Sequence, residues 1–320
     1  MSQPAIFSQI WTQSPIFESI LRSVQIVAAT EATTLILGES GTGKELVARA
    51  LHAGSRRQAA PYVAVNCATF SESLAESQLF GHKRGAFTSA QADYAGMIRA
   101  AEGGTLFLDE IAELSLPVQA KLLRFLETGE VLSLGDTQAQ RVNVRLVAAT
   151  HRDLAQLVAL GQFRADLFYR LQVVPIELPP LRARQGDIDW LLARFMADFA
   201  QRYDVHLPRL TANAQGVIRR HPWPGNVREL RNLAERLVIL NAGRTVDVEN
   251  LPQELRAAKV DGVKAPRYDL PENGVDLEAM ESDLLRQALA RTGGNKSRAA
   301  RLLSLSRDTF LYRLKKFSIQ

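Results

Sequence analysis

An α/β fold, with a parallel sheet, a helical subdomain behind it and a small all-α domain at the C-terminal end, is predicted by three observations. Five short apolar runs, at 34–37, 62–65, 105–108, 144–149 and 173–178, alternate with helix-patterned segments. Runs that stay apolar without alternating belong to a sheet buried on both faces, and helices between them imply parallel pairing. The first run leads into a glycine-rich loop, the usual ligand edge of such a sheet. After Pro179-Pro180 the strand signal fades and helical periodicity takes over.

Each element has its own signal. The first run feeds Gly38-Glu39-Ser40-Gly41-Thr42-Gly43-Lys44-Glu45, which opens a helix. The third run ends on Asp109-Glu110, and the fourth on Thr150. Amphipathic helices are expected at 188–202, 212–220 and 227–240, with Asn226 capping the last and Glu229 completing a capping box. The stretch 259–274 holds Pro266, Pro271 and two glycines without periodicity and reads as a linker. Three short helices follow. The first, 277–290, stops at Thr292-Gly293-Gly294-Asn295. The second, 296–303, carries Ala299, Leu302 and Leu303 on one face. Ser306 caps the third, 307–317, whose Phe310, Leu311 and Leu314 point inward by spacing. The expected domains are therefore 1–178 (α/β), 179–258 (helical subdomain), 259–275 (linker) and 276–320 (three short helices).

With 320 residues and 46% hydrophobic content, the chain has ample material for a core and for about two domains. Cys67 is the sole cysteine, which excludes an internal disulfide, and the five histidines form no metal-ligand spacing with it. No apolar run reaches the roughly 18 residues that cross a membrane, and Met1-Ser2-Gln3-Pro4 does not open a secretory signal, so a cytoplasmic protein without a membrane partner is expected. The net charge of +5 is uneven. Residues 291–320 hold eight basic side chains against one acid, Asp308, while the rest is mildly acidic. A basic end on an acidic body suggests a local polyanion site.

The glycine-rich loop sits between strand and helix, as a phosphate-binding loop must. Gly38, Gly41 and Gly43 let backbone N–H groups face phosphates, and Lys44 reaches the β- and γ-phosphates of ATP. Glu45 stands where a Ser or Thr usually ligates Mg2+, so water would replace that hydroxyl. Asp109 is the candidate metal ligand for Mg2+, and Glu110 the group that orients and polarises the attacking water. Phosphoryl transfer is mainly positioning and charge neutralisation, so these few groups suffice.

Between these motifs lies Gly85-Ala86-Phe87-Thr88-Ser89-Ala90, a small-residue loop with one aromatic and polar flanks. A lone Phe in a loop ordinarily tucks back into the fold. From about Ile16 onward, however, the loop and the motifs around it resemble the bacterial enhancer-binding proteins, AAA+ ATPases that remodel sigma-54 RNA polymerase holoenzyme. Ser89 departs from the family's second glycine, whereas Glu45 agrees with the family. The resemblance implies an AAA+ P-loop fold in which Phe87 and Thr88 press on the sigma factor. It implies that Asn66 pairs with Glu110 until the target engages, and that Thr150 is sensor I, with His151 replacing the usual Asn. Arg228, in Gly225-Asn226-Val227-Arg228-Glu229-Leu230, matches sensor II. Arg164 and Arg170 match arginines that act in trans, which makes a homo-oligomer, dimer to hexamer, the expected working form.

The tail resembles the Fis-type helix-turn-helix. Arg307, Asp308, Thr309 and Arg313 are then candidates for base or phosphate contact at an upstream enhancer site in double-stranded DNA. Lys296, Arg298, Lys315 and Lys316 are candidates for phosphate contact, which positions without reading sequence. The first tail helix is expected to pair with its copy in a dimer. Only about fifteen residues precede the resemblance, so control is expected from a separate regulatory protein, from expression level or from a domain outside this sequence. Two other readings stand beside an activator: an AAA+ remodeller of another protein target, and a DNA-binding repressor with a decayed ATPase.

Overall fold

The computed structural model describes residues 10–70, 72–87, 90–257, 275–303 and 305–319. The expected linker and Thr88 and Ser89 lie outside the described residues. Contacts divide the chain into two compact units, 1–258 and 259–320.

In the first unit, β1 (Thr34–Leu37), β2 (Tyr62–Asn66), β3 (Thr105–Asp109), β4 (Glu130–Val131), β5 (Gln140–Arg141), β6 (Arg145–Thr150) and β7 (Val174–Glu177) appear in chain order. Five of them form one parallel sheet in the order β2-β3-β6-β1-β7. Alternate residues along each strand enter opposite cores. Leu35, Leu106, Leu108, Leu146 and Ala148 join one cluster, while Ile36, Phe107, Val147 and Ala149 join the other. Burial on both faces is why the runs read as continuously apolar. The short hairpin β4-β5 was not expected from the sequence; two-residue strands carry no periodicity.

The helices of this layer are α1 (Pro15–Ala28), α2 (Lys44–Ala53), α3 (Glu72–Phe80), α4 (Met97–Ala100), α5 (Leu116–Thr128), α6 (Leu154–Ala159) and α7 (Ala165–Leu171). The helical subdomain, or lid, adds α8 (Asp187–Tyr203), α9 (Ala212–Arg220), α10 (Asn226–Leu240) and α11 (Gln253–Ala257), with a small pair β8 (Arg209–Leu210) and β9 (Thr245–Val246). Its own core centres on Trp223, fully buried, whose indole N–H donates to the Ile218 carbonyl at 3.0 Å.

Asn226 does not cap α10 as expected. It has a left-handed backbone (φ 50°), and its amide reaches out of the lid instead. The carboxylate of Glu229 does fold back, accepting from Gly225 N at 2.8 Å.

The second unit is a three-helix cluster of α12 (Leu277–Arg291), α13 (Lys296–Leu302) and α14 (Arg307–Lys316). Ser306 caps α14 by accepting from Thr309 N. Phe310 and Leu314 are buried with Leu285, Leu289, Ala299 and Ala300. Leu302, expected inside, is 58% exposed, and Leu311 is half-buried outside this cluster. Ala300 takes the inward place because α13 presents its two alanines to the close approach of its neighbours.

Candidate nucleotide and DNA sites

The loop joining β1 to α2 owes its shape to glycine. Gly41 and Gly43 have φ of 78° and 104°, where other residues are strained. A Cβ on Gly41 would also lie 2.3 Å from the Gly225 carbonyl oxygen, so the lid can approach this loop only because position 41 is bare. Val227 N completes that approach, donating to Gly41 O at 3.0 Å.

Lys44, Asp109, Glu110 and Arg228 converge on one cavity of about 720 Å3. Lys44 Nζ donates to the carbonyls of Gly38 (2.9 Å) and Glu39 (3.4 Å) and lies 3.8 Å from Glu110 Oε1. Burial lowers its pKa, against the pull of Glu110 and Asp109. Burial raises the pKa of Asp109, and the neighbouring Glu110 charge adds to the effect. Both shifts have the sense of a pocket that favours an added cation beside the carboxylates and an anion beside the lysine. Glu110 sits on a left-handed backbone (φ 53°), a conformation that costs of order 1–3 kcal/mol and persists where the surroundings hold it.

The predicted residues around this centre divide. Arg228 Nη1 donates to Ser40 Oγ at 3.0 Å, which brings the lid arginine to the phosphate loop. Thr150 is fully buried, and its hydroxyl accepts from Arg152 N. Thr42 Oγ1 donates to Glu39 O within the loop. The carboxylate of Glu45 pairs along α2 with Arg49 (2.9 Å). No cluster of three or more His, Cys, Asp or Glu suited to a metal exists among the described residues.

Asn66 does not pair with Glu110 here. Its side-chain oxygen accepts from Ala68 N and closes the turn after β2. The partner of Glu110 is His151, whose Nδ1 lies 2.8 Å from Oε2. Sequence reading noted the histidine as a departure, but strand order alone does not show that β6 delivers it to the end of β3.

Arg164 and Arg170 do not line the cavity. Arg164 is exposed and pairs with Asp166 (2.7 Å), and Arg170 donates to the Leu126 carbonyl (2.9 Å).

Glu39 was expected as a nucleotide-binding member of the phosphate loop; its carboxylate joins the loop to the lid. Arg182 grips its carboxylate with two nitrogens, at 2.5 and 2.8 Å, and Asn226 Nδ2 adds a bond at 3.1 Å. These bonds, Arg182 first, hold the Glu39 pKa down to about 2.

In the loop at 85–90, Gly85 N donates to Ala90 O, and Ala90 N to Phe87 O. Phe87 turns back toward the fold, as a lone loop Phe ordinarily does: its ring meets His82 edge to face at 4.9 Å and is half-buried. His82 is bridged in turn to Tyr94 and Leu134, so the base of the loop is anchored while Gly85 is exposed.

Three family descriptions cover these features. Residues 10–177 match the sigma-54 interaction domain, 182–266 the AAA+ ATPase lid domain, and 276–317 the bacterial regulatory protein, Fis family. This chain belongs to the sigma-54 interaction family of AAA+ ATPases. It is 46% identical to the transcriptional regulatory protein ZraR of Klebsiella oxytoca over 301 residues, covering 94% of this chain and 67% of that one. It is 40% identical to the regulatory protein AtoC of Escherichia coli over 315 residues, covering 98% and 68%. Among solved structures, NtrX from Brucella abortus in complex with ATP is similar at a TM-score of 0.71 and 34% identity, covering 96% of this chain and 69% of that one. The chain is thus an ATPase of a sigma-54-dependent transcriptional activator family with a Fis-type helix-turn-helix.

In that helix-turn-helix, Lys296, Arg298, Arg307, Asp308, Thr309 and Lys315 are exposed. Arg313 and Lys316 are engaged within the unit: Arg313 Nη1 bonds Glu281 Oε1 at 2.6 Å, and Lys316 Nζ bonds Glu278 Oε1 at 2.9 Å. The resemblance put both at the DNA, whereas α12 brings two carboxylates to meet them here.

Proposed function

We propose that this protein is an ATP-dependent activator of sigma-54 RNA polymerase. It binds upstream DNA through its tail and remodels the closed promoter complex as a hexameric ring in the cytoplasm. The reading is carried by the convergence of Lys44, Asp109, Glu110 and Arg228 on one cavity while Arg164 and Arg170 stay outside it.

The phosphate loop offers its backbone N–H groups to phosphate oxygens, and Lys44 turns from the Gly38 and Glu39 carbonyls to meet them. Asp109 would hold Mg2+, which supplies charge neutralisation between the phosphates when bound. Glu110 orients water and accepts its proton, and Arg228 sets the lid against the phosphate end. A neighbour's Arg164 and Arg170 complete the site, since guanidinium groups stabilise the charge that develops in the transition state. Phe87 and Thr88 carry the resulting loop movement to the sigma factor.

The test is opening of a sigma-54 promoter in a purified system. Opening that needs hydrolysable ATP and disappears with Lys44→Ala supports the proposal. Nucleotide-independent repression of the same promoter would point to a DNA-binding repressor. Normal ATPase activity without opening would point to another protein target.

A further inference from the structure

Asp187 opens α8, yet its carboxylate serves a segment far away in the chain. It is fully buried. Thr12 Oγ1 donates to it at 2.8 and 3.0 Å, Gln13 N at 2.6 Å and Ser14 N at 3.1 Å. Just before these donors, Trp11 packs on lid aromatics: Trp190 edge-on at 6.3 Å, Phe195 at 5.9 Å, and the Arg194 guanidinium 4.7 Å above the ring.

The segment therefore belongs to the lid by its contacts, although α1, starting at Pro15, belongs to the α/β layer through Phe17 and Val24. Ile10, Trp11, Phe17 and Leu191 are among the apolar residues lining the cavity whose polar end holds Lys44. Arg184 ties the two ends, lying over the Phe17 ring at 3.8 Å and donating to Thr42 O at 2.6 Å.

We propose that Asp187 is a positioning residue for the nucleoside half of the nucleotide. It clasps the segment 11–14 to the lid and so holds the Trp11 wall where a flat apolar base can lie. The phosphate half is built by other residues. Removing the carboxylate leaves the Gln13 N–H and the Thr12 hydroxyl without their buried acceptor and Ser14 N with Thr12 Oγ1 alone, at 3.0 Å, and such groups seek water at the expense of the wall. The proposal rests on reading this cavity as the nucleotide site.

The test compares ADP with inorganic tripolyphosphate in titrations of the whole protein. Asp187→Ala is expected to weaken ADP about tenfold, equivalent to about 1.4 kcal/mol, while tripolyphosphate affinity and kcat at saturating ATP hold. Asp187→Asn keeps an oxygen for Gln13 N and Ser14 N and is expected to restore most ADP affinity. Thr12→Val, a milder change, is expected to move ADP affinity the same way and supports the proposal if Asp187→Ala does not fold. Equal losses for ADP and tripolyphosphate, or none for ADP in either variant, overturn it. Lys44→Ala separates the two readings, since retained binding of both ligands there refutes the nucleotide site itself.

Discussion

Replacing Asn226 with alanine tests how the lid is fastened to the phosphate loop. The Asn226 side chain is fully buried. Its oxygen accepts from Leu181 N at 2.8 Å, and its nitrogen donates to Glu39 Oε2 at 3.1 Å and Ser40 O at 3.0 Å. Alanine leaves the Leu181 N–H buried without an acceptor, which costs about 1–3 kcal/mol. It also places a plain side chain at φ 50°, where an L-residue without local hydrogen bonding loses a further ~1–2 kcal/mol. The expected loss is therefore about 2–5 kcal/mol, a large part of the roughly 5–15 kcal/mol of a typical domain. Urea unfolding of residues 1–258 followed by tryptophan fluorescence reads it, because Trp223 lies in the lid core. Arg228 lies two residues on, so ATP affinity is expected to fall as well. A loss below about 1 kcal/mol with unchanged ATPase activity would refute this account of the fastening, since the buried N–H must then find another partner at no cost.

Other outcomes follow from the site. Lys44→Ala is expected to abolish nucleotide binding, whereas Glu110→Gln binds ATP and fails to turn it over; normal turnover in Glu110→Gln would remove that carboxylate from its role. Specific ATPase activity is expected to rise with protein concentration, and mixing Arg164→Ala with Lys44→Ala to recover part of it. No recovery in verified mixed assemblies counts against catalysis in trans. Removing 276–320 is expected to abolish specific DNA binding and spare ATPase activity, and binding by the whole chain to weaken steeply with salt as counterions return to the phosphates. Salt-independent binding contradicts the assigned interface.

The sheet and most helices were legible because their signals are local. Continuous apolar runs marked all five sheet strands, and α9 falls at Ala212–Arg220 as its periodicity indicated. That the loop at 38–45, Asp109 and Glu110 belong together was legible for the same reason, since each motif is a run of adjacent residues, and they meet at one cavity. What escaped depends on partners distant in sequence. Asn226 looks like a helix cap until Glu39, Ser40 and Leu181 are brought to it. Asp187 looks like an ordinary acid at a helix start, with no hint of Thr12 and Gln13. Arg313 and Lys316 look free for DNA because periodicity describes only their own helix, while Glu281 and Glu278 come from α12. Asn66 closes its own turn while His151 reaches Glu110, an arrangement set by side-chain geometry at strand ends distant in sequence.

The most direct test of the account is promoter opening by Phe87→Ala. Phe87 touches His82 at the base of its loop and does not line the nucleotide cavity. The variant is expected to assemble and hydrolyse ATP like the unmodified protein, yet to leave sigma-54 promoters closed. Normal opening by Phe87→Ala would contradict the claim that this loop delivers the work of hydrolysis to the sigma factor.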